Sequence, residues 1–295
     1  MSRTLDALRQ AEALRSQPLL AREPSRRAFR VLCVTSNKGG VGKTTLATNL
    51  AVYLRALRED VPVLFLGLDD QTLVNRMFSL QYVMDGGSVA SALRVGSLEG
   101  AIRVGQYGVH FVPASPATSE LKREISDPFR LRGLLERSGW RGLVVIDTKS
   151  DFEILTRNAI AASDLCLVVV KDQSSLVEAQ RVFDLLRHWG EPMERARVVL
   201  SLVDRRVKFQ GSDTPDVLAL LQAEVKQRGF PSFDAFLSRS PIIEALLTNP
   251  ENRSLSILNA APGSLVHRQM ARLASDVLDV FGPKALSELS DSERG

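Results

Sequence analysis

A single stretch, Val31-Leu-Cys-Val-Thr-Ser-Asn-Lys-Gly-Gly-Val-Gly-Lys-Thr-Thr45, constrains the fold of this chain more than any other. The apolar run Val31 to Val34 predicts a buried strand. A glycine-rich turn follows, and from Thr44 to Arg58 leucines at 46, 50, 54 and 57 fall in helical spacing. Strand, glycine-rich loop and helix in that order is the setting in which a phosphate-binding pattern has physical meaning. Gly39, Gly40 and Gly42 let the backbone take positive φ and approach a phosphate closely. The loop amides and the positive end of the following helix then face a polyanion. In this pattern Lys43 offers a point charge to the β- and γ-phosphates and Thr44 a hydroxyl to Mg²⁺. The stretch is expected to be a nucleotide site.

The loop departs from the standard pattern G-x-x-x-x-G-K-[ST]. Asn37 stands where the first glycine belongs, and a second lysine, Lys38, follows it. The run Lys38, Gly39, Gly40, Val41, Gly42, Lys43, Thr44 and Thr45 resembles the deviant Walker A motif of the ParA/MinD family of P-loop ATPases. The resemblance implies a doubly wound, mostly parallel α/β sheet (a P-loop NTPase), with ATP and Mg²⁺ as ligands. It also implies that Lys38 reaches across a dimer interface to the partner's ATP, so that nucleotide occupancy and dimerisation become one event. Such a cation, supplied in trans, acts where negative charge develops during phosphoryl transfer. Taken alone, Lys38 also reads as a solvated lysine beside an ordinary P-loop.

Composition agrees with an enzyme-sized cytoplasmic domain. At 295 residues, 44% of them hydrophobic, the chain can bury a full core as one large α/β domain. Its two cysteines, Cys33 and Cys166, both fall in predicted core strands and offer no disulfide framework or metal-ligand spacing. That argues against the iron–sulfur branch of the same superfamily. No apolar run approaches the ~20 residues that span a bilayer, and the charged N-terminus lacks the apolar region of a signal peptide.

Past the loop helix, residues 61–66 predict a second strand that ends in Gly67-Leu-Asp69-Asp70-Gln71. This segment resembles the family's switch I, usually Asp-x-Asp-Pro-Gln, with Asp69 in the place of the second Asp. That residue helps hold the attacking water or the Mg²⁺ shell. Gly67 replaces the first Asp, and Asp70 the Pro. The carboxyl ends of core strands are where α/β sheets gather ligands, which favours Asp69 as a functional carboxylate over a turn cap. Residues 143–146 followed by Asp147 form a Walker B strand, whose carboxylate meets Mg²⁺, usually through water. The family mostly continues Thr-Pro-Pro, its switch II; this chain continues Thr148-Lys149-Ser150.

Helices are expected over 88–102 and, interrupted at Asp127-Pro128, over 118–137. A short strand lies within 108–114, and its His110 receives no catalytic role. The resemblance carries on through strand 165–170, the helix near 176–189 and strand 196–203. Asp204-Arg-Arg206 is then similar to the family segment that flanks the adenine, which implies Asp204 as a base contact. Residues 235–245 resemble the family's strand-to-helix passage. In all, the resemblance covers Arg30 to Gly282. The last helix, 265–281, carries apolar residues at 266, 270, 273, 277 and 281, one stripe suited to packing on the sheet.

The ends read differently. Leu5, Leu8, Ala11 and Leu14 form one side of a short helix, and two prolines, Pro18 and Pro24, mark a linker after it. Gln10 to Arg15 looks like the activator motif of MinD-type flagellar-number regulators, or the N-terminal helix of some polysaccharide-export ATPases. Residues 5–15 are thus a candidate protein-binding segment, or a helix that packs on its own domain. Arg195, Arg197, Arg205, Arg206 and Lys208, with Arg239 and Arg253, could form a surface that binds DNA through phosphates without sequence preference, as in ParA proteins. They read equally as a scattered solvated face.

The sequence therefore divides into an N-terminal helix and linker (1–30), a ParA/MinD-like ATPase domain (31–282) and a polar tail (283–295). The expected function is an ATP-dependent, dimerising switch with slow hydrolysis that positions or partitions DNA or protein cargo. Its rivals are a regulator of flagellar, secretion or polysaccharide assembly, and a switch that binds ATP with weak or no hydrolysis. A tyrosine-kinase role is disfavoured, because Tyr53, Tyr82 and Tyr107 form no C-terminal cluster.

Overall fold

The computed structural model describes residues 27–69, 73–79, 87–204, 206, 216–247 and 256–290. The helix expected over 5–15, its linker, and Asp70 and Gln71 lie outside the described residues. In chain order the elements are β1 (Phe29–Thr35), α1 (Lys43–Leu57), β2 (Val63–Gly67), α2 (Leu73–Phe78), α3 (Val89–Val95), β3 (Arg103–Val104) and β4 (His110–Val112). Next come α4 (Leu121–Glu124), α5 (Arg130–Arg137), β5 (Gly142–Asp147), α6 (Ile154–Ala162), β6 (Leu165–Val170), α7 (Gln173–His188) and β7 (Ala196–Leu200). The chain continues with α8 (Val217–Gln227), α9 (Pro241–Leu247), α10 (Ile257–Ala260), α11 (Leu265–Phe281) and α12 (Pro283–Ser290).

The strands form one seven-stranded sheet in the order β3-β4-β2-β5-β1-β6-β7. Every pair is parallel except β3 with β4, so the doubly wound sheet expected from the sequence is the one observed. Parallel strands need crossovers that cover both faces, so their side chains are apolar on both sides. Leu32, Val34, Phe65, Val145 and Leu167 share a core with α1 and α11. Their neighbours Val31, Cys33, Leu66, Ile146 and Val168 share the opposite core with α6 and α7. β1 lies between β5 and β6, and β2 sits on the far side of β5. The chain thus departs from β1 in both directions, which opens a crevice at its carboxyl end. The glycine-rich loop occupies that position.

On α11, Val266, Met270, Leu273 and Val277 are buried against the core they share with α1. Burying each such side chain contributes about 1.5–3 kcal/mol. The stripe thus faces inward, as its spacing predicts.

Elsewhere the structure departs from the sequence reading at element ends. The helix expected over 88–102 closes at Val95, because Gly96 takes a left-handed φ of 82° and returns its N–H to Ala92. The 118–137 segment folds as two short helices, α4 and α5. β7 stops at Leu200; Leu202 turns to a φ of 55°, and Val203 makes only an isolated bridge to Ser238. Residues 283–290, read as part of a polar tail, form α12, with Leu286 and Leu289 at 1% and 2% exposure. Their three-residue spacing sets both on one side of a short helix, a signal masked by the polar residues around them.

Candidate functional site

The loop between β1 and α1 begins from a fixed point. Thr148, just past β5, hydrogen-bonds through N and Oγ1 to the Val34 carbonyl at 3.2 and 3.1 Å. Val41 is fully buried and pins the middle of the loop to the core. Gly42 caps α1 with a left-handed φ of 88°, a conformation that disfavours any side chain. A Cβ there would also stand 3.4 Å from Ser201 Oγ and 3.6 Å from Leu202 Cγ. The turn after β7 therefore packs directly on the loop, the side on which the sequence reading places the adenine.

Lys43 opens α1 and is only 6% exposed. Its Nζ donates to Ser150 Oγ at 2.5 Å and to the Lys38 carbonyl at 3.4 Å. Burial lowers its pKa, opposed by the charges of Asp147, Asp69 and Asp151. Asp147, at the tip of β5, is paired in register with Val34 of β1 and Gly67 of β2. It is fully buried, and neither carboxylate oxygen has a hydrogen-bond partner of normal geometry. Burial pushes this carboxyl up to about 7, with Thr44 and Lys43 favouring its charged form and Asp69 opposing it. Asp69, 7% exposed, follows β2 directly, and the amide of its neighbour Leu68 donates to the Asp147 carbonyl at 2.8 Å.

A buried carboxylate with both oxygens unsatisfied is costly unless a cation occupies the space before it. The donor set suits Mg²⁺, a hard ion that takes one or two carboxylates with substrate phosphate oxygens. Among the described residues no cluster of three or more metal-ligating side chains exists, so a cation here would draw on such phosphates. Thr44, Asp147, Lys43, Asp69 and the loop residues Gly39 to Thr45 are thus brought together.

Two predicted residues stand otherwise. Lys38 Nζ forms an ion pair with Asp172 of its own chain at 2.8 Å. Asp204 is engaged by Arg206, whose Nε and terminal nitrogen lie 2.9 and 2.7 Å from its oxygens and hold its pKa down to about 2. The structure also adds contacts that the sequence does not show. Asn37 Nδ2 donates to the Glu178 carbonyl of α7 at 3.3 Å, tying the start of the loop to that helix. Asp172 caps α7 through a reciprocal bond with Ser175, a pattern visible in the sequence Asp172-Gln-Ser-Ser175. Gly67 leaves room that Val74 fills, since a Cβ there would meet Val74 Cγ2 at 3.0 Å.

Of the described basic residues, two are engaged internally and two pair at the surface. Arg195 is 10% exposed, pairs with Glu191 at 2.6 Å and donates to the Ser163 carbonyl. Arg197 lies over the Phe233 ring at 5.2 Å. Arg206 and Arg239 pair with Asp204 and Glu244, and Arg205, Lys208 and Arg253 lie outside the described residues. His110 packs edge-on against Trp140 at 5.2 Å. No helix among the described residues is long and apolar enough to cross a membrane.

Residues 29–188 match the AAA domain family AAA_31. Among curated proteins, the chain is 28% identical over 205 residues to the chromosome partitioning protein ParA of Caulobacter vibrioides, covering 65% of this chain and 76% of that one. It is 36% identical over 157 residues to the chromosome-partitioning ATPase Soj of Thermus thermophilus, covering 52% and 59%. Among solved structures, the septum site-determining protein MinD of Pyrococcus horikoshii, complexed with Mg-ADP, superposes with a TM-score of 0.67 at 20% identity. That match covers 87% of this chain and 98% of the other.

Proposed function

The chain belongs to the ParA/MinD family of P-loop ATPases, and from that premise we propose that it is an ATP-driven dimerising switch that positions or partitions intracellular DNA or protein cargo. The observation that carries this reading is Asp147, buried with neither oxygen in a hydrogen bond of normal geometry, beside Lys43 and Thr44 on a glycine-rich loop. The relatives named for chromosome partitioning support the cargo class, and the Mg-ADP of the MinD neighbour supports the ligands.

In this proposal Lys43 and the amides of residues 39–45 hold the phosphates, and Thr44 and Asp147 hold Mg²⁺. Mg²⁺ bound there supplies positive charge to the phosphate oxygens. Asp69 accepts a hydrogen bond from the attacking water and sets its direction. Lys38 of a second copy donates to the γ-phosphate and stabilises the charge that develops on it. Asp204 lies by the base only if it releases Arg206. Hydrolysis is slow and returns the chain to monomers, so the product is a timed change in affinity for a partner. Non-specific DNA is one candidate platform, and a protein bound through residues 5–15 is another.

The reading is tested by titrating a fluorescent ATP analogue with Mg²⁺ into wild type and Lys43→Ala. Wild type is expected to bind and the variant to lose binding; equal affinity contradicts the site. A second reading, a switch that binds ATP without turning it over, draws support from Gly67, where the first switch I carboxylate is missing and Val74 fills the space. Phosphate release from wild type separates the two.

A further inference from the structure

Ser150 lies across the mouth of the phosphate loop. Its Oγ accepts from Lys43 Nζ at 2.5 Å, and a Cβ built on Gly39, near the start of the loop, would stand 3.9 Å from it. Its neighbours Lys149 and Asp151 line a small cleft with Leu68, Thr118, Lys122 and Glu153, and the Asp151 charge also acts on Lys43. Ser150 Oγ is thus directed at the loop, beside Lys43. The Lys43 ammonium is nearly buried, so Ser150 Oγ takes a place on it that an anionic oxygen could share. A hydroxyl has one donor beside its acceptor lone pairs. Here a lone pair serves Lys43, and the hydrogen is given to no described residue.

We propose that Ser150 distinguishes a nucleoside triphosphate from a diphosphate, by donating its hydroxyl hydrogen to a γ-phosphate oxygen while it goes on accepting from Lys43. This rests on the nucleotide-binding reading above. With a diphosphate in the loop, the donor has no such acceptor and Ser150 contributes only its contact to Lys43. Proline, which occupies the matching place in the usual Thr-Pro-Pro, has no hydroxyl and cannot do this. Ser150 thus gives switch II of this chain a side-chain contact to the transferred group, in addition to whatever its backbone offers.

The test measures the ratio of two affinities. Fluorescent ADP and a fluorescent, slowly hydrolysed ATP analogue are titrated with Mg²⁺ into wild type, Ser150→Ala and Ser150→Thr. A hydrogen bond to a charged group corresponds to a loss of about tenfold or more when its donor is removed. Ser150→Ala is therefore expected to weaken the triphosphate by that factor and to leave ADP within about twofold of wild type. Ser150→Thr, which keeps the hydroxyl, is expected to restore the wild-type ratio. An unchanged ratio in Ser150→Ala overturns the proposal. So does a tighter triphosphate, which would mark the hydroxyl as a mere plug on Lys43. If wild type binds neither ligand, the nucleotide reading itself falls, a result distinct from an unchanged ratio.

Discussion

Lys38 and Asp172 form a two-pronged ion pair within one chain, with Nζ 3.0 Å from Oδ1 and 2.8 Å from Oδ2. Asp172 also caps α7, accepting from the Ser175 amide at 2.8 Å. The lysine that the proposed function sends into a neighbouring copy is therefore held at home by a carboxylate. With side chains 34% and 39% exposed, the pair contributes no more than about 1 kcal/mol, a hold weak enough for a bound triphosphate to override.

Asp172→Asn keeps an N-cap of similar strength and removes the charge that retains Lys38. Sedimentation with Mg²⁺ and a non-hydrolysable ATP analogue is expected to show dimers at up to about fivefold lower protein concentration than wild type. Dimerisation that weakens in this variant would mean that Asp172 supports the trans arrangement instead of opposing it.

Asp69→Ala separates binding from turnover. The carboxylate assigned to the water makes no claim on the phosphates, so analogue affinity should stay within a few-fold of wild type. Phosphate release should fall on the order of a hundredfold or more, the range of a positioned proton acceptor. Release at the wild-type rate would remove Asp69 from the mechanism.

Asp147 makes the nucleotide-free protein sensitive to pH. Its carboxyl is pushed from 3.8 up to about 7 by burial. Between those values the folded chain binds more protons than the unfolded one, so this group lowers stability as pH rises and the loss is complete above about 7. The effect is on the order of a few kcal/mol. Asp147→Asn removes it. Thermal unfolding without nucleotide should show the variant gaining on wild type between about pH 4 and about pH 7, with the gain level above that. Parallel pH profiles would show that the carboxylate is better solvated than its burial implies.

Leu286 and Leu289 anchor α12 to the core shared with α1. Leu286→Ala, which creates a cavity at a site 1% exposed, should cost about 2–5 kcal/mol in chemical denaturation. A cost below about 0.5 kcal/mol, the level of a surface substitution, would mean that the segment contributes little to the fold.

The core elements were legible in the sequence because their patterns repeat over enough residues. The α11 stripe at 266, 270, 273 and 277 matches its buried positions, and β6 falls where its unbroken apolar run lies. The order of strands around β1 is not written in any local pattern and is seen only in the folded sheet. Element ends were missed where one residue's backbone decided them, as with Gly96 and Leu202. At the site, Lys43, Thr44 and Asp147 were legible because the loop motif and strand tip define their positions. The contacts of Asp172 with Lys38 and of Ser150 with Lys43 were not, since each reaches the loop only through folding, from more than a hundred residues away. Of the basic residues grouped in the sequence, Arg195 and Arg197 have internal partners, which closeness in sequence does not reveal.

The central claim is that a cation from a second copy completes the triphosphate pocket. Sedimentation of wild type and Lys38→Ala at high protein concentration, each saturated with Mg²⁺ and a non-hydrolysable ATP analogue, tests it most directly. Wild type is predicted to run as a dimer, and Lys38→Ala as a monomer that still carries the analogue. A wild type that stays monomeric while fully loaded would contradict the account.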